Sequence, residues 1–437
     1  MVLHFTLLLM YTIKILNTVL QHRLVTGFAL LLLCCNTTYG QVTGCTDPLA
    51  NNFNAAATVN NGSCTYTSTS YTPLSKVNPI SNILVESSGL QWADNSLWSF
   101  NDGGGAAAIY RIDTLSNAIY QTVYLQGASN IDWEDIAFDG VYFYIGDVGN
   151  NANGARTDLT IYKFPLAAIP AYQSNPVVTI PAAEISRIYF TYNDQPQPPV
   201  ATGSNYTAFD CEAMLVDEGK IHLFTKNWIN VSSTHYVIPS VEAGTYTAMP
   251  LETLQTNYLV TGADKAMGNK VITLLGYQNS GTALHFMHLL SSYSGGYYFN
   301  GNKRRLDLPD VFTMGQAEGI CFRNGYYGYI SNEKFVKVLF GNTVTIYQQL
   351  KAFDISQLVS DLKTTYIFWG NGFWNMAGNW TDGLMPPPTL APNSQVIIDP
   401  LPGGECVLNI PYTLTGGTPL IINNGKKLLI VGNLILQ

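Results

Sequence analysis

NIDWEDIAFDGVYFYIGDVGNN, residues 130–151, spells out a β-hairpin. WEDIAF is a short run mixing apolar and acidic residues, Asp139-Gly140 is a two-residue turn, and VYFYIGDV is an aromatic and β-branched strand. The pattern returns at 86–102 (ESSGLQWADNSLWSFND), 210–227 (DCEAMLVDEGKIHLFTKN) and 318–333 (EGICFRNGYYGYISNE), with a fainter copy, ADKAMGNKVITLLGY, from 263. Each copy sets an acidic residue before small and apolar ones, turns at Asp, Asn or Gly, and runs into a second strand.

The leading acids, Glu86, Glu134, Glu212, Asp264 and Glu318, stand 48, 78, 52 and 54 residues apart. A period near fifty with room for about four short strands is that of a β-propeller blade. Five repeats are visible. The long gap holds a Pro-rich excursion at 165–199, which reads either as an irregular connection or as a degenerate sixth blade.

The bulk composition agrees. The 437 residues include 11% charged and 12% aromatic residues, with 27 Tyr and 38 Gly, which suits strands and turns rather than amphipathic helices. The fold class expected is all-β. Formal net charge is −8, and residues 1–40 hold Lys14 and Arg23 but no acid. An acidic chain without a Lys/Arg cluster is a poor partner for nucleic acid or anionic membrane. An extracellular small molecule, glycan or protein suits it better.

Residues 1–40 read as a signal peptide cut near Gly40: the basic residues precede the apolar run 24–35, and small or polar residues follow it. Met10 is an alternative start, and lipidation at Cys34 or Cys35 is disfavoured by the preceding Leu33. No later run is long enough for a transmembrane helix. The expected location is therefore secreted or cell-surface. In that setting Cys45 and Cys64, bracketing an Asn-rich segment without a core of its own, should form a disulfide. Cys211 and Cys321 read as buried small hydrophobes.

The domain plan is a signal peptide (1–40), a small disulfide module (41–66), a linker (67–79), a β-propeller (80–362) and a C-terminal β-rich module (363–437). The segment 79–85 is the expected closing strand of the ring.

Three resemblances add to this. Residues 44–66 resemble the GCTDP…DGSC modules of secreted bacterial proteins, though Asn60 and Asn61 stand where those modules often carry acids, which weakens a calcium role and leaves Asp47 as the sole carboxylate. ESSGL, DWEDIA, DCEAM and AEGI resemble propellers grouped around SdiA-regulated proteins and esterase-like phytase domains, which implies six blades and permits a calcium-dependent hydrolase of phosphoesters or carboxylic esters. The GNW and Pro-rich text from Trp369 resembles the opening of secreted β-helix or adhesin-like modules, with about two rungs present.

In a propeller the starts of the innermost strands converge on the channel. Glu86, Glu134, Glu212, Glu318 and Asp264 would then form a carboxylate ring, which needs a hard cation such as Ca²⁺ or Mg²⁺ to avoid self-repulsion. The competing reading gives each Glu a structural task in capping turns. Asp102, Asp147, Asn227, Asn332 and Glu333, at the far end of the second strand, would line one face. Lys226 and Lys265 fall near the ring, whereas Asp132, Asp135 and Asp210 read as turn stabilisers. No nucleophile elbow, Walker loop, HExxH or CxxC occurs, and His285 and His288 point to opposite faces of a strand. The favoured function is a cation-bearing binding or interaction protein. The catalytic residues, if any, are unknown, and the calcium-dependent hydrolase is the alternative.

Overall fold

The computed structural model describes residues 41–266, 269–279, 283–360, 364–381, 385–386, 390, 394–414 and 418–436. The signal-peptide reading at 1–40 lies outside them.

Five blades surround a channel. Blade 1 is Ser87–Ala93, Ser96–Asn101, Ala108–Ile112 and Ile119–Leu125. Blade 2 is Trp133–Phe138, Tyr142–Asp147, Thr160–Pro165 and Ser186–Tyr192. Blade 3 is Cys211–Asp217, Lys220–Thr225, Ser233–Ile238 and Gly244–Leu254. Blade 4 is Leu259–Lys265, Ile272–Tyr277, Leu284–Ser291 and Asn302–Asp310. Blade 5 takes Gln316–Phe322, Tyr327–Glu333 and Leu350–Asp354 from late in the chain and its fourth strand, Leu74–Val77, from early in it. The first strand of each blade packs against the first strand of the next, and blade 5 packs against blade 1.

Each interface between neighbouring blades holds its own apolar cluster. Between blades 1 and 2 it is aromatic: Trp133 meets Phe100 edge-on and Phe143 lies between Trp98 and Phe164. The inner strands approach closely because glycines face them. A side chain at Gly262 would come within 2.5 Å of the Glu318 carbonyl oxygen, and one at Gly319 would collide with that of Ser88.

The ring has five blades and not the six implied by the SdiA-regulated and phytase resemblance. The Pro-rich excursion is spent on edges: Val177–Ile180 adds to blade 1, and Ser186–Tyr192 is the outer strand of blade 2, running parallel to the outer strand of blade 3. Covering unpaired edges in this way blocks intermolecular strand addition.

Ring closure uses Leu74–Val77 instead of the segment 79–85, pairing antiparallel with Leu350–Asp354. Thr69–Ser70 likewise pairs with blade 4, so the Ser/Thr-rich stretch at 67–79 contributes two strands. After Asp354 the chain makes a turn at 356–358.

The disulfide joins Cys45 and Cys64. Its module is seated on blade 4, where Asn60 donates to the Ser292 carbonyl and to Asn302 Oδ1, and Lys303 donates to the Gly62 carbonyl. Asp47 accepts from Leu49 N and from the Tyr66 hydroxyl and so caps a turn. Because the bridge spans 19 residues, replacing both cysteines by Ala should cost the module about 3 kcal/mol. Faster proteolysis within 41–66 would report it, and unchanged cleavage would refute it. Cys211, Cys321 and Cys406 are buried free thiols.

The C-terminal module is a parallel solenoid of nearly three rungs. Thr365–Phe368, Gln395–Ile398 and Leu420–Ile422 stack on one side, Gly372–Phe373, Cys406–Leu408 and Leu428–Ile430 on a second, and Tyr412–Leu414 and Leu434–Leu436 on a third. Trp374 and Trp380 fill its core. Among the described residues no helix is long and apolar enough to cross a membrane.

Candidate functional site

The repeat acquires its chemistry from a β-bulge. In all five blades the pairing of the first two strands slips near the start of the inner strand, between Ser87 and Leu90, opposite Gly146 and Asp147, between Cys211 and Ala213, between Val260 and Gly262, and between Ala317 and Ile320. A bulge leaves a residue unpaired and re-aims its side chain. The bulged residues are Ser88, Glu134, Glu212, Thr261 and Glu318. Facing them, at the exit of the second strand, stand Asp102, Val148, Lys226, Tyr277 and Glu333.

Three of the five acids expected in the ring, Glu134, Glu212 and Glu318, line one cavity of about 280 Å³, and each is only 4% exposed. Glu86 and Asp264 are not brought there. Glu86 lies two residues before its blade's bulge and is exposed, with Ser88 in the equivalent place. Asp264 lies three residues after its bulge, where it accepts from Lys265 N and from Phe322 N of blade 5. Asp135 acts likewise, accepting from Ile136 N and from Met214 N of blade 3. These two are staples between inner strands, a structural use of a buried carboxylate. Ser88 and Thr261 do the same by donating to the carbonyls of Glu134 and Ala317.

Of the second expected set, Asp102 and Glu333 line the cavity. Asp147 is buried and bound to Arg156 and to Asp132 N. Asn227 caps a turn through Ile229 N and Asn230 N, and Asn332 ties Gln349 N to the Glu333 and Tyr347 carbonyls. Lys226 also lines the cavity, 2.9 Å from Glu212, with Nζ between the rings of Trp228 and Tyr277. Lys265 is paired with Asp217 outside it.

The electrostatics are severe. Asp102, Glu134, Glu212, Glu318 and Glu333 line the cavity with one lysine. Burial, reinforced by Glu212 and Asp102, pushes the Glu134 carboxyl well above its ordinary range. Burial also raises Asp102, Asp132 to about 7 and Glu318 to about 7. Burial alone would lower the Lys226 ammonium, but Glu212 overrides it and holds the lysine charged.

Within this set, Asp102, Asp132 and Glu134 each bring a carboxylate oxygen to within 4.8 Å of the others. Three oxygens no more than 4.8 Å apart lie at most about 2.8 Å from a common centre, so small side-chain adjustments bring all three to a calcium–oxygen distance of about 2.3–2.6 Å. Gly149 makes the cluster sterically feasible, because any side chain there would collide with Glu134 Oε1 and Asp132 Oδ2. Among the described residues Glu134 accepts no hydrogen bond through its carboxylate. Opposite, Gln316 Nε2 donates to Glu318 Oε1 (2.8 Å) and Glu333 Oε2 (3.2 Å). Glu318 Oε2 is buried beside the Thr261 hydroxyl, which also donates to Ala317 O.

His285 and His288 are separately engaged. His285 Nδ1 donates to Pro309 O while its Nε2 accepts from Ala317 N, and His288 Nδ1 meets the Tyr258 hydroxyl.

No family model matches the chain, and no curated protein matches its sequence. Solved structures do resemble it. A PQQ-bound aldose sugar dehydrogenase from Streptomyces coelicolor is 9% identical at TM-score 0.35, the likeness covering 63% of this chain and 97% of that one. A 6-phosphogluconolactonase, so described provisionally, from Bacteroides uniformis is 14% identical at TM-score 0.29 over 60% and 70% of the two chains. The WD40 repeats of RRP9 are 8% identical at 0.30 over 61% and 66%. At such scores these are likenesses of architecture only, and the fold rests on the five sheets themselves: this chain is an all-β, five-bladed propeller with an acidic channel mouth.

Proposed function

We propose that this protein is an extracellular binding module that carries a divalent cation, Ca²⁺ by preference, at the mouth of its propeller channel. The observation that supports it most is the triad of Asp102, Asp132 and Glu134 packed on Gly149, three carboxylates in reach of one ion. Hard oxygen donors of this kind suit Ca²⁺ or Mg²⁺, and the roomy, irregular cluster with three anionic ligands favours the larger ion. Export through the segment 1–40 fits the disulfide-bonded module. The coarser statement, a propeller protein, does not depend on either point.

Titration calorimetry with Ca²⁺ tests the reading. Glu134→Gln and Gly149→Ala should each weaken binding by at least about tenfold, the first by removing a charged ligand and the second by filling the space the ligands occupy. Glu86→Gln, exposed outside the cavity, should weaken binding far less than Glu134→Gln. Absence of calcium heat in the unaltered protein, or equal affinity in Glu134→Gln, would dismiss the cation.

A further inference from the structure

We infer that the contact between blades 3 and 4, away from the channel mouth, is a proton-operated clamp: a chain of side chains there makes four hydrogen-bond contacts with only three hydrogens of its own, and the fourth comes from solvent. Each strand of blade 3 gives the chain one residue, Asp217, His222, His235 and Glu252 in turn. Tyr298, from the loop before the outer strand of blade 4, stands between Asp217 and His222. Glu252 Oε1 lies 3.1 Å from His235 Nδ1, and His235 Nε2 lies 2.8 Å from His222 Nδ1. His222 Nε2 lies 3.2 Å from the Tyr298 hydroxyl, which is 3.0 Å from Asp217 Oδ2. At these distances each contact is direct, with no space for a bridging water, and the three rings are buried.

The count follows from side-chain chemistry. A neutral imidazole carries one hydrogen on nitrogen, a tyrosine one on oxygen and a carboxylate none. Burial, then Asp217, raises the Tyr298 hydroxyl, so it keeps its hydrogen. Burial, then the adjoining His235, pushes His222 down to about 3 and holds it neutral. With a second hydrogen on His235 every contact is satisfied in one direction. His235 then donates to Glu252 and to His222 Nδ1, His222 Nε2 donates to Tyr298, and Tyr298 donates to Asp217. Without that hydrogen the bonds reverse. His235 keeps its one hydrogen for Glu252, His222 Nδ1 donates to His235, and Tyr298 donates to His222, so two oxygens face each other at Tyr298 and Asp217. The break falls there because Asp217 retains a second donor, Lys265, whereas a break at the other end would set a bare ring nitrogen against the Glu252 carboxylate.

The proton thus decides whether Tyr298 is tied to blade 3. Burial lowers His235 from its ordinary 6.5, with Glu252 acting against that, so the fourth hydrogen joins on the acid side of the usual histidine range. Other charged groups face the chain from each side. Lys303 of blade 4 feels Glu252 but is held by the carbonyls of Gly62, Phe299 and Gly301. Glu218 faces Tyr298, and Lys265 faces His222. The remaining neighbours are the rings of Phe224, Tyr293 and Phe299. The loop that carries Tyr298 also seats the disulfide module, since Gly62 packs on the Asn300 carbonyl. Acid therefore tightens the loop and the seat of that module, and neutral pH loosens them.

The test is nuclear magnetic resonance of the full chain with isotope-labelled histidine, reading ring-nitrogen hydrogens from about pH 8 to about pH 4.5. In the parent, His222 should change from the Nδ1–H to the Nε2–H tautomer as pH falls while staying neutral, in step with the second hydrogen reaching His235. Glu252→Gln supplies the missing hydrogen at one end through its amide and should fix His222 as Nε2–H already at about pH 8. Asp217→Asn supplies it at the other end and should hold the Nδ1–H form at pH values where the parent has switched. Amide exchange at 298–301 near pH 8 should be about fivefold slower in Glu252→Gln than in the parent, because the bond from Tyr298 to Asp217 is restored. Removing a merely structural carboxylate would quicken it. The two variants act at opposite ends, so one that folds poorly leaves the other to decide. A single His222 tautomer throughout the parent titration overturns the inference, as does faster loop exchange in Glu252→Gln, or a switch in Asp217→Asn at the same pH as in the parent.

Discussion

Lys226→Met is expected to lower the free energy of unfolding by about 3–5 kcal/mol, the cost of orphaning one partner of a buried ion pair. Lys226 and Glu212 are 4% and 5% exposed and 2.9 Å apart. Glu212 shares its cavity with Glu134 and Glu318, so removing the ammonium leaves a desolvated carboxylate among like charges. Methionine keeps most of the volume between Trp228 and Tyr277, which isolates the electrostatic part of the loss. Adding Glu212→Gln should restore most of the stability by removing the orphaned charge, the non-additivity expected of residues in contact. Denaturant unfolding of the single and double variants measures this. A loss below about 1 kcal/mol for Lys226→Met would mean that Glu212 is protonated in the native protein and that the pair contributes little. Calcium affinity should rise in the single variant, because one positive charge leaves the cavity while the triad is untouched.

The sequence makes the propeller legible because hairpins repeat at a steady spacing, and chemistry repeats with them at Glu134, Glu212 and Glu318. It hides the register. A strand pattern with period two does not announce a bulge, so matching copies by acidity selects Glu86 and Asp264, whereas matching by pairing selects Ser88 and Thr261. Blades 1 and 4 replace the carboxylate by a hydroxyl that binds the neighbouring strand, and no compositional signal marks a Ser or Thr as the equivalent of a Glu. Of the facing positions, Asp102 and Glu333 are acids recognisable in sequence, whereas Val148, Lys226 and Tyr277 share no chemistry with them and join the set only when the sheets are formed.

Asp210 is not the turn stabiliser expected but a tie between segments distant in sequence, accepting from Asn150 N and Trp228 Nε1. Asp132 looks the same in sequence, yet it joins the carboxylate triad. What separates them is Gly149, seventeen residues downstream of Asp132, whose missing side chain makes room for the cluster. The sixth blade implied by the resemblance is missing among the described residues for a related reason. Fifty residues per blade is an average, and strands recruited to cover edges, as at Val177–Ile180, lengthen one interval without adding a blade.

Stabilisation by calcium is expected to grow as pH rises from about 5 to about 8. The sign follows from the carboxyls. Burial pushes Asp132 and Glu318 up to about 7 in the folded chain against 3.8 and 4.5 ordinarily, and Glu134 is raised as well. Between about pH 4 and 7 the metal-free native state therefore holds more protons than the unfolded chain, so stability is full below the unfolded values and is lost as pH rises through the folded ones. Asp132 is partly exposed, and screening tempers its share. A cation competes with those protons for the same oxygens: it is weak at pH 5 and strong at pH 8. With chelator present the melting temperature should fall across this range by several degrees, and at about a hundredfold excess of calcium over its dissociation constant, worth about 2.7 kcal/mol, the fall should be cancelled. Glu134→Gln should bring the two curves closer at pH 8, to about half their separation for a tenfold loss of affinity, since the substituted amide neither takes up a proton nor carries charge to the ion. Parallel decline of both curves in the unaltered protein would assign the raised carboxyls to hydrogen-bonded acids within the channel, and the triad would then be a feature of folding without a cation.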